Sequence, residues 1–223
     1  MGLVGTFIKL FFNLPLHIQV HTDLIHKYFR QSSLLNKTRF FISEFVLRYA
    51  DRVRVVSERV KKSIDCFSQN IDVLPISQGE PLKNFAPKGS PWERKNINIL
   101  TICRIEKEKN LEIAIRAFKK VLENNINITF TIVGDGSEKK NLENLCRELN
   151  IEKRVIFTGW QNDLEKYYQN ADIYISPSLY EGYGVSIVEA AFCGLPLVLS
   201  DTGLVGDIFE NEKNALICDE IGR

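Results

Sequence analysis

Two glutamates stand eight positions apart, Glu181 and Glu189, in the run Ser176 to Ser200, SPSLYEGYGVSIVEAAFCGLPLVLS. Ahead of them Asp172 to Ser176 (DIYIS) is short, apolar and β-rich, and Pro177 forbids an immediate helix start, so a buried strand followed by a loop is predicted. Gly182 and Gly184 let that loop bend and approach a ligand, and Val185 to Cys193 carries a helical apolar pattern that Gly194 and Pro196 terminate. A strand, a glycine loop and a helix in this order aim unpaired backbone N–H groups and a positive dipole end at the space above the sheet, where an anion is the expected guest. Two carboxylates beside an anion repel it unless they bind hydroxyl groups instead. A phosphorylated sugar offers both kinds of group. The same spacing also fits a surface loop with one exposed glutamate and one at a helix start.

Other residues able to do chemistry follow predicted strands. Cys103-Arg104-Ile105-Glu106-Lys107-Glu108-Lys109-Asn110 ends a strand, and Arg104 with Lys109 can clamp a diphosphate whose charge grows as its bond to sugar breaks. Taken alone it is an ordinary charged βα loop. Val133-Gly134-Asp135-Gly136 also lies between a strand and a helix, but Lys139 occupies the third glycine position of a dinucleotide fingerprint and no acidic residue ends the next strand. That counts against a Rossmann oxidoreductase. Gly159-Trp160 sits at the same edge, where Trp160 also suits simple packing. His21 follows the β-type run Leu16 to Val20 at the ligand-binding end of a strand, where a hydrogen-bonded turn histidine is the plainer reading.

The elements that must position these residues form two groups. Leu3 to Phe12 reads as a short helix ended by Pro15, Lys37 to Ala50 as a helix with Phe40, Phe41, Phe45, Val46 and Tyr49 on one face, and Arg52 to Val56 as a strand. Ser57 with Glu58 opens a helix through about Cys66, and Asp72 to Leu74 is a last short strand. These elements, in residues 1–75, make up the first group, and residues 76–96, rich in proline and glycine, read as a linker. Residues 97–223 then alternate strands (Ile97 to Ile102, Ile128 to Val133, Arg154 to Thr158, Asp172 to Ser176, Leu197 to Ser200, Ala215 to Cys218) with helices (Leu111 to Glu123, Glu138 to Leu149, Asp163 to Gln169, Val185 to Cys193, Val205 to Phe209). Six strands separated by helices predict an α/β fold with a parallel, doubly wound sheet.

Net charge is +1, but residues 1–96 carry 15 Lys/Arg against 8 Asp/Glu and residues 97–223 carry 14 against 20, so the halves stand at +7 and −6. Ten cations against three acids between Lys27 and Lys62 suit a solvated helix face, a phosphorylated acceptor or peripheral contact with an anionic membrane. No nucleic-acid partner is expected. The five cysteines are scattered and odd in number, which speaks against a disulfide framework or a zinc site. The apolar N-terminal stretch is interrupted by Lys9, Asn13 and His17 and lacks a basic start and a cleavage site, so a cytoplasmic protein is expected.

The run Glu181-Gly-Tyr-Gly-Val-Ser-Ile-Val-Glu189, continuing Ala-Ala-Phe-Cys-Gly-Leu-Pro, resembles the E-x7-E motif of the family 4 glycosyltransferases of GT-B fold. Arg104 to Lys109 resembles that family's G-R-[LI]-x3-K pattern, with Cys103 in place of the glycine, and Val133 to Gly136 its VGxG turn. Asp201 to Ile208 matches the family's G-G-x-P-E loop only loosely and is given no role. The resemblance runs from Gly2 to Cys218. It implies two Rossmann-like domains and a retaining transfer of a hexose from a nucleotide-diphosphate sugar to a saccharide or lipid-linked acceptor, without a metal ion or other cofactor. Arg104, Lys109 and the helix starting at Val185 would stabilise the departing diphosphate. Glu181, with backbone N–H groups near Tyr183 and Gly184, would orient the sugar, Glu189 would hold the ribose hydroxyls, and His21 would reach the donor. Gly134 and Gly159 would lie near the base. Measured against complete GT-B enzymes, residues 1–75 would be a partial N-terminal, acceptor-side Rossmann-like domain and residues 97–223 the nucleotide-sugar-binding one, so the chain reads as a fragment lacking the start of the first domain and the C-terminal end, on the order of a hundred residues. A non-catalytic nucleotide-sugar binder or subunit and a GT-B sugar-nucleotide epimerase remain as alternatives.

Overall fold

The computed structural model describes residues 2–31, 34–68, 70–76, 96–124 and 127–218, which fall into two compact units. Residues 77–95, most of the expected linker, lie outside the described residues.

The first unit is built on a three-stranded parallel sheet in the order β1 (His17–Val20), β2 (Arg52–Val55), β3 (Ile71–Val73), with Ile18 opposite Val53 and Val53 opposite Ile71. Helix α1 (Gly2–Phe12) precedes β1, α2 (Lys27–Gln31) and α3 (Leu34–Tyr49) follow it, and α4 (Glu58–Ile64) joins β2 to β3. Small residues let α1 sit close: a Cβ on Gly2 would lie 3.0 Å from Val46, and one on Gly5 2.9 Å from Leu16. Asn13, at φ 53, takes the left-handed conformation that ends α1. Asp51 then ties three segments together, receiving the Lys9 ammonium at 2.5 Å and the Leu16 N–H at 2.7 Å. The Leu16 N–H first, and Lys9 after it, hold its carboxyl below the usual range.

The expected apolar face of α3 is corrected by the packing. Val46 and Leu47 are its buried residues, whereas Phe41 is 66% exposed and Phe45 and Tyr49 are also exposed. Phe45 and Tyr49 pair with each other instead, their ring centroids 4.8 Å apart and their planes tilted by 46°, and the Arg30 guanidinium lies over the Phe40 ring at 4.4 Å.

The second unit carries a six-stranded, all-parallel sheet: β4 (Ile97–Ile102), β5 (Ile128–Val133), β6 (Val155–Gly159), β7 (Ile173–Ser176), β8 (Leu197–Ser200) and β9 (Leu216–Cys218). Their spatial order is β6-β5-β4-β7-β8-β9, with α5 (Leu111–Leu122), α6 (Lys139–Glu148), α7 (Glu165–Asn170) and α8 (Val185–Phe192) in the crossovers. The six strands read from the sequence are these six. Phe130, Ile132, Ile105 and Ile115 are fully buried in the core between sheet and helices, each contributing about 1.5–3 kcal/mol by the transfer scale. Asp172 accepts the Asn98 N–H at 2.7 Å and so joins the start of β7 to β4.

A helix expected over Val205 to Phe209 does not form. Gly206 adopts φ +85, outside the helical region, and the segment folds into turns. The division of the chain is also less simple than a break at the linker, because Tyr180–Gly184 and Thr202–Ile208 belong to the first unit.

Candidate functional site

In the second unit the strand order reverses between β4 and β7, the place where open parallel sheets leave a crevice at their carboxyl ends. Arg104 and Lys109 follow β4, Gly134 follows β5, Gly159 ends β6, and α8 with Val185 and Glu189 follows β7. All six expected residues therefore share one edge of one sheet. The backbone fastens the two central loops together: the Leu179 N–H, after β7, donates to the Glu108 carbonyl at 2.8 Å.

Glycine is required at Gly134 by contact. Its φ is +134, and a Cβ there would lie 1.9 Å from the Cys103 carbonyl oxygen. One on Gly136 would lie 2.3 Å from the Ile105 carbonyl oxygen. The β5 turn thus backs the loop that bears Arg104, and Ile105 N–H donates to the Asp135 carbonyl at 2.8 Å. Glu106 receives Ser137 through both its hydroxyl (2.6 Å) and its N–H (3.1 Å), bonds that hold its carboxyl below the usual range. Gly159 differs: at φ +71 it has only Lys139 and Asp135 near its vacant Cβ position, at 3.9 and 4.0 Å. Trp160 is 71% exposed and donates to Asn162, so packing does not account for it.

Arg104 is 69% exposed and pairs with Glu108 at 3.2 Å. A guanidinium has five N–H donors, so this pair leaves others to meet an incoming anion. Lys109 ends a 3-10 turn, Lys107–Lys109, and Asn110, at φ 50, then starts α5.

Glu189 lies half-buried on α8 and receives the Tyr168 hydroxyl at 2.7 Å. Burial raises its carboxyl above the usual range, and the bond from Tyr168 opposes that rise. The Cys193 thiol nearby is pushed up to about 11, chiefly by burial and then by Glu189, so it stays protonated. The sequence reading missed Tyr168, Tyr174 and Ser186, which make up the polar surroundings of Glu189. The only signal was general, that a buried tyrosine needs a partner for its hydroxyl.

The first unit gathers the remaining residues around the carboxyl end of β1. His21 is exposed and lies 3.3 Å from Gln19 Oε1 through its Nε2. A Cβ on Gly182 would stand 1.8 Å from the His21 carbonyl oxygen, and the Ser57 hydroxyl donates to the Gly182 carbonyl at 3.0 Å while capping α4. The loop carrying Glu181, Tyr183 and Gly184 is held against that strand end. Tyr183 is buried and donates to the Ile76 carbonyl.

The stretch given no role in the sequence supports this loop. A Cβ on Gly203, at φ +58, would meet the Tyr183 carbonyl oxygen at 2.9 Å and Glu181 Cβ at 3.1 Å. Asp207 accepts the Glu58 N–H at 2.7 Å at the amino end of α4, and Arg59 donates to the Val205 carbonyl at 3.0 Å. The structure thus brings His21, Glu181, Tyr183 and Gly184 together in one unit and Arg104, Lys109, Gly134, Gly159, Val185 and Glu189 in the other.

Comparison with known proteins extends this picture. The model of the family described as Glycosyl transferases group 1 matches residues 83–221. A galactosyltransferase of Escherichia coli, named UDP-Gal:alpha-D-GlcNAc-diphosphoundecaprenol alpha-1,3-galactosyltransferase, is 32% identical over 161 residues, which cover 67% of this chain and 41% of that protein. Among solved structures, sucrose-phosphate synthase from Thermosynechococcus elongatus superposes with a TM-score of 0.81 at 24% identity, covering 97% of this chain and 57% of the other. Anabaena HepE in complex with UDP and glucose gives 0.78 at 21%, covering 97% and 61%. The chain spans between 30% and 51% of the length of three curated relatives it matches.

Proposed function

Because the chain belongs to the group 1 glycosyl transferases and has the GT-B fold, we propose that it moves a hexose from a nucleotide-diphosphate sugar to an acceptor hydroxyl, with retention of configuration. The observation that carries this reading is the gathering of Arg104, Lys109 and the amino end of α8 with Glu189 at one sheet edge, where the strand order reverses. Two cations and a helix start suit the charge that develops on a departing diphosphate, which is electrostatic catalysis at the leaving group. On this reading the two cations and the helix start answer the leaving-group charge, and no metal ion is assigned a part. Glu189 holds the ribose hydroxyls, while Gly134 and Gly159 leave room beside the base. Glu181 orients the sugar hydroxyls with the backbone N–H groups near Tyr183 and Gly184, and His21 completes the donor contacts. A phosphate oxygen of the donor takes the acceptor proton, so no protein base is assigned.

The Escherichia coli relative's name, with a UDP-galactose donor and a diphosphoundecaprenol-linked acceptor, supports a saccharide or lipid-linked acceptor and a place in cell-surface glycoconjugate synthesis. No helix among the described residues is long and apolar enough to cross a membrane. We assign the protein to the cytoplasmic side, in peripheral contact with anionic lipid through residues 27–62. A cleft lined by Ile25, Lys27, Arg30, Lys37, Phe40 and Phe41 supports that contact, since it sets three cations beside exposed aromatic surface.

The test is transfer from a panel of nucleotide-diphosphate hexoses to lipid-diphosphate-linked N-acetylglucosamine in the presence of EDTA, with the anomeric configuration of the product read by NMR. The expected result is a product that keeps the donor's configuration. Inversion, or a requirement for an added divalent ion, would contradict the mechanism. Donor conversion without acceptor would mark an epimerase, and donor binding without turnover a binding subunit.

A further inference from the structure

Glu189 is not set by its own helix alone. Tyr168 on α7 is only 1% exposed, and its hydroxyl lies 2.7 Å from Glu189 Oε2 and 3.2 Å from the Ser186 carbonyl oxygen. Both neighbours are acceptors and a phenol has one proton, so the nearer one, the Glu189 carboxylate oxygen, takes it. Burial pushes the Tyr168 hydroxyl far above its ordinary range, which keeps it a donor. Beside it the Tyr174 hydroxyl lies 2.8 Å from Ser186 Oγ, 3.3 Å from the Ile102 carbonyl oxygen and 3.5 Å from the Ile102 N–H. Ile102 ends β4, two residues before Arg104. The chain of contacts Glu189, Tyr168, Ser186, Tyr174, Ile102 therefore runs from α8 to the strand that bears the expected diphosphate loop.

We propose that Tyr168 is a positioning residue for nucleotide recognition: by holding Glu189 Oε2 it presents the other carboxylate oxygen to the vicinal hydroxyl pair of the ribose. The proposal rests on the reading of Glu189 as the ribose ligand. A glutamate on a helix has three rotatable side-chain bonds, and a bond from a buried phenol fixes the carboxylate before the ligand arrives. Tyr174 and Ser186 extend the same restraint to the first turn of α8. Ribose recognition and the diphosphate loop then share one rigid support.

The experiment measures, by calorimetry, the affinity of the full chain for UDP, GDP and ADP, each beside its 2′,3′-dideoxy counterpart. The wild-type protein is expected to prefer the ribose form of at least one pair. Tyr168→Phe should shrink that preference roughly tenfold, the size of one hydrogen bond to a charged group. In a Glu189→Ala background the same substitution should change the preference no further. A general loss of packing lowers both affinities of a pair together and leaves their ratio alone, so the ratio separates positioning from mere stability. A wild-type preference that survives unchanged in Tyr168→Phe would overturn the positioning role alone. Equal binding of ribose and dideoxy forms by the wild type, or no nucleotide binding, would overturn the assignment of Glu189 to ribose and this role with it.

Discussion

At Gly182 a single methyl group decides whether the loop can stay where it is. The vacant Cβ position lies 1.8 Å from the His21 carbonyl oxygen, far inside any contact distance, so Gly182→Ala must displace Glu181 or the end of β1. Gly206 makes the natural control: its φ is +85, yet nothing lies within 4 Å of its vacant Cβ, so Gly206→Ala meets only the left-handed backbone strain of about 1–2 kcal/mol. Gly182→Ala is therefore expected to lower the melting temperature clearly more than Gly206→Ala and to reduce transfer at least tenfold, the overpacking cost alone being about 1–3 kcal/mol. Thermal melts of the two variants check this, and equal melting temperatures would count against the packing described. The residues legible in the sequence were those whose type and spacing announce chemistry, such as Glu181, Glu189, Arg104 and Lys109. Gly203, Asp207 and Tyr168 were not, and of Ser57 only the capping of α4 was, not its bond to Gly182. Their parts depend on partners brought close only by folding: Asp207 meets the amino end of α4 149 positions away in the chain, and Ser57 meets Gly182 across 125.

Elements of the second unit were readable because each parallel strand is a short apolar run bounded by turn residues, and each long crossover helix has an apolar stripe. The first unit was harder. Helix α3 carries aromatic residues at helical spacing, but the packing covers Val46 and Leu47 and leaves Phe41 in the open. Periodicity tells which residues share a face and not whether that face is covered. The exposed aromatic surface of α3, with Lys27 and Arg30 of α2 and Lys37 beside it, belongs to the proposed lipid contact. Sedimentation with vesicles should recover the protein with phosphatidylglycerol and not with phosphatidylcholine alone. Replacing Lys27, Arg30 and Lys37 by glutamine should remove most of that recovery at physiological ionic strength, since each basic residue near the surface contributes about 1 kcal/mol. Recovery that ignores both vesicle charge and the substitutions would dispose of the contact.

At the scale of the whole chain, the charges of the two halves, +7 and −6, narrow to +3 and −2 when counted over the two units, because Glu181 and Asp207 go with the first and the basic stretch 78–96 is counted with the second. The sequence announced a linker by its composition and a parallel sheet by the alternation of strands and helices after it, and the two Rossmann-like parts through the resemblance. It did not announce that Tyr180–Gly184 and Thr202–Ile208 would leave the second unit for the first, because that depends on the close approaches at Gly182 and Gly203 and on the bonds made by Ser57 and Asp207. The central claim is that the carboxyl edge between β4 and β7 receives a nucleotide diphosphate through Arg104 and Lys109. Calorimetry of UDP against UMP, GDP against GMP and ADP against AMP tests it most directly, using the wild-type chain, Arg104→Ala and Lys109→Ala. The wild type should favour the diphosphate of at least one pair, and each substitution should reduce that advantage roughly tenfold or more, as expected for losing a hydrogen bond to a charged group worth about 1.5–3 kcal/mol. Equal affinity for mono- and diphosphate, or an advantage that both substitutions leave untouched, would contradict it.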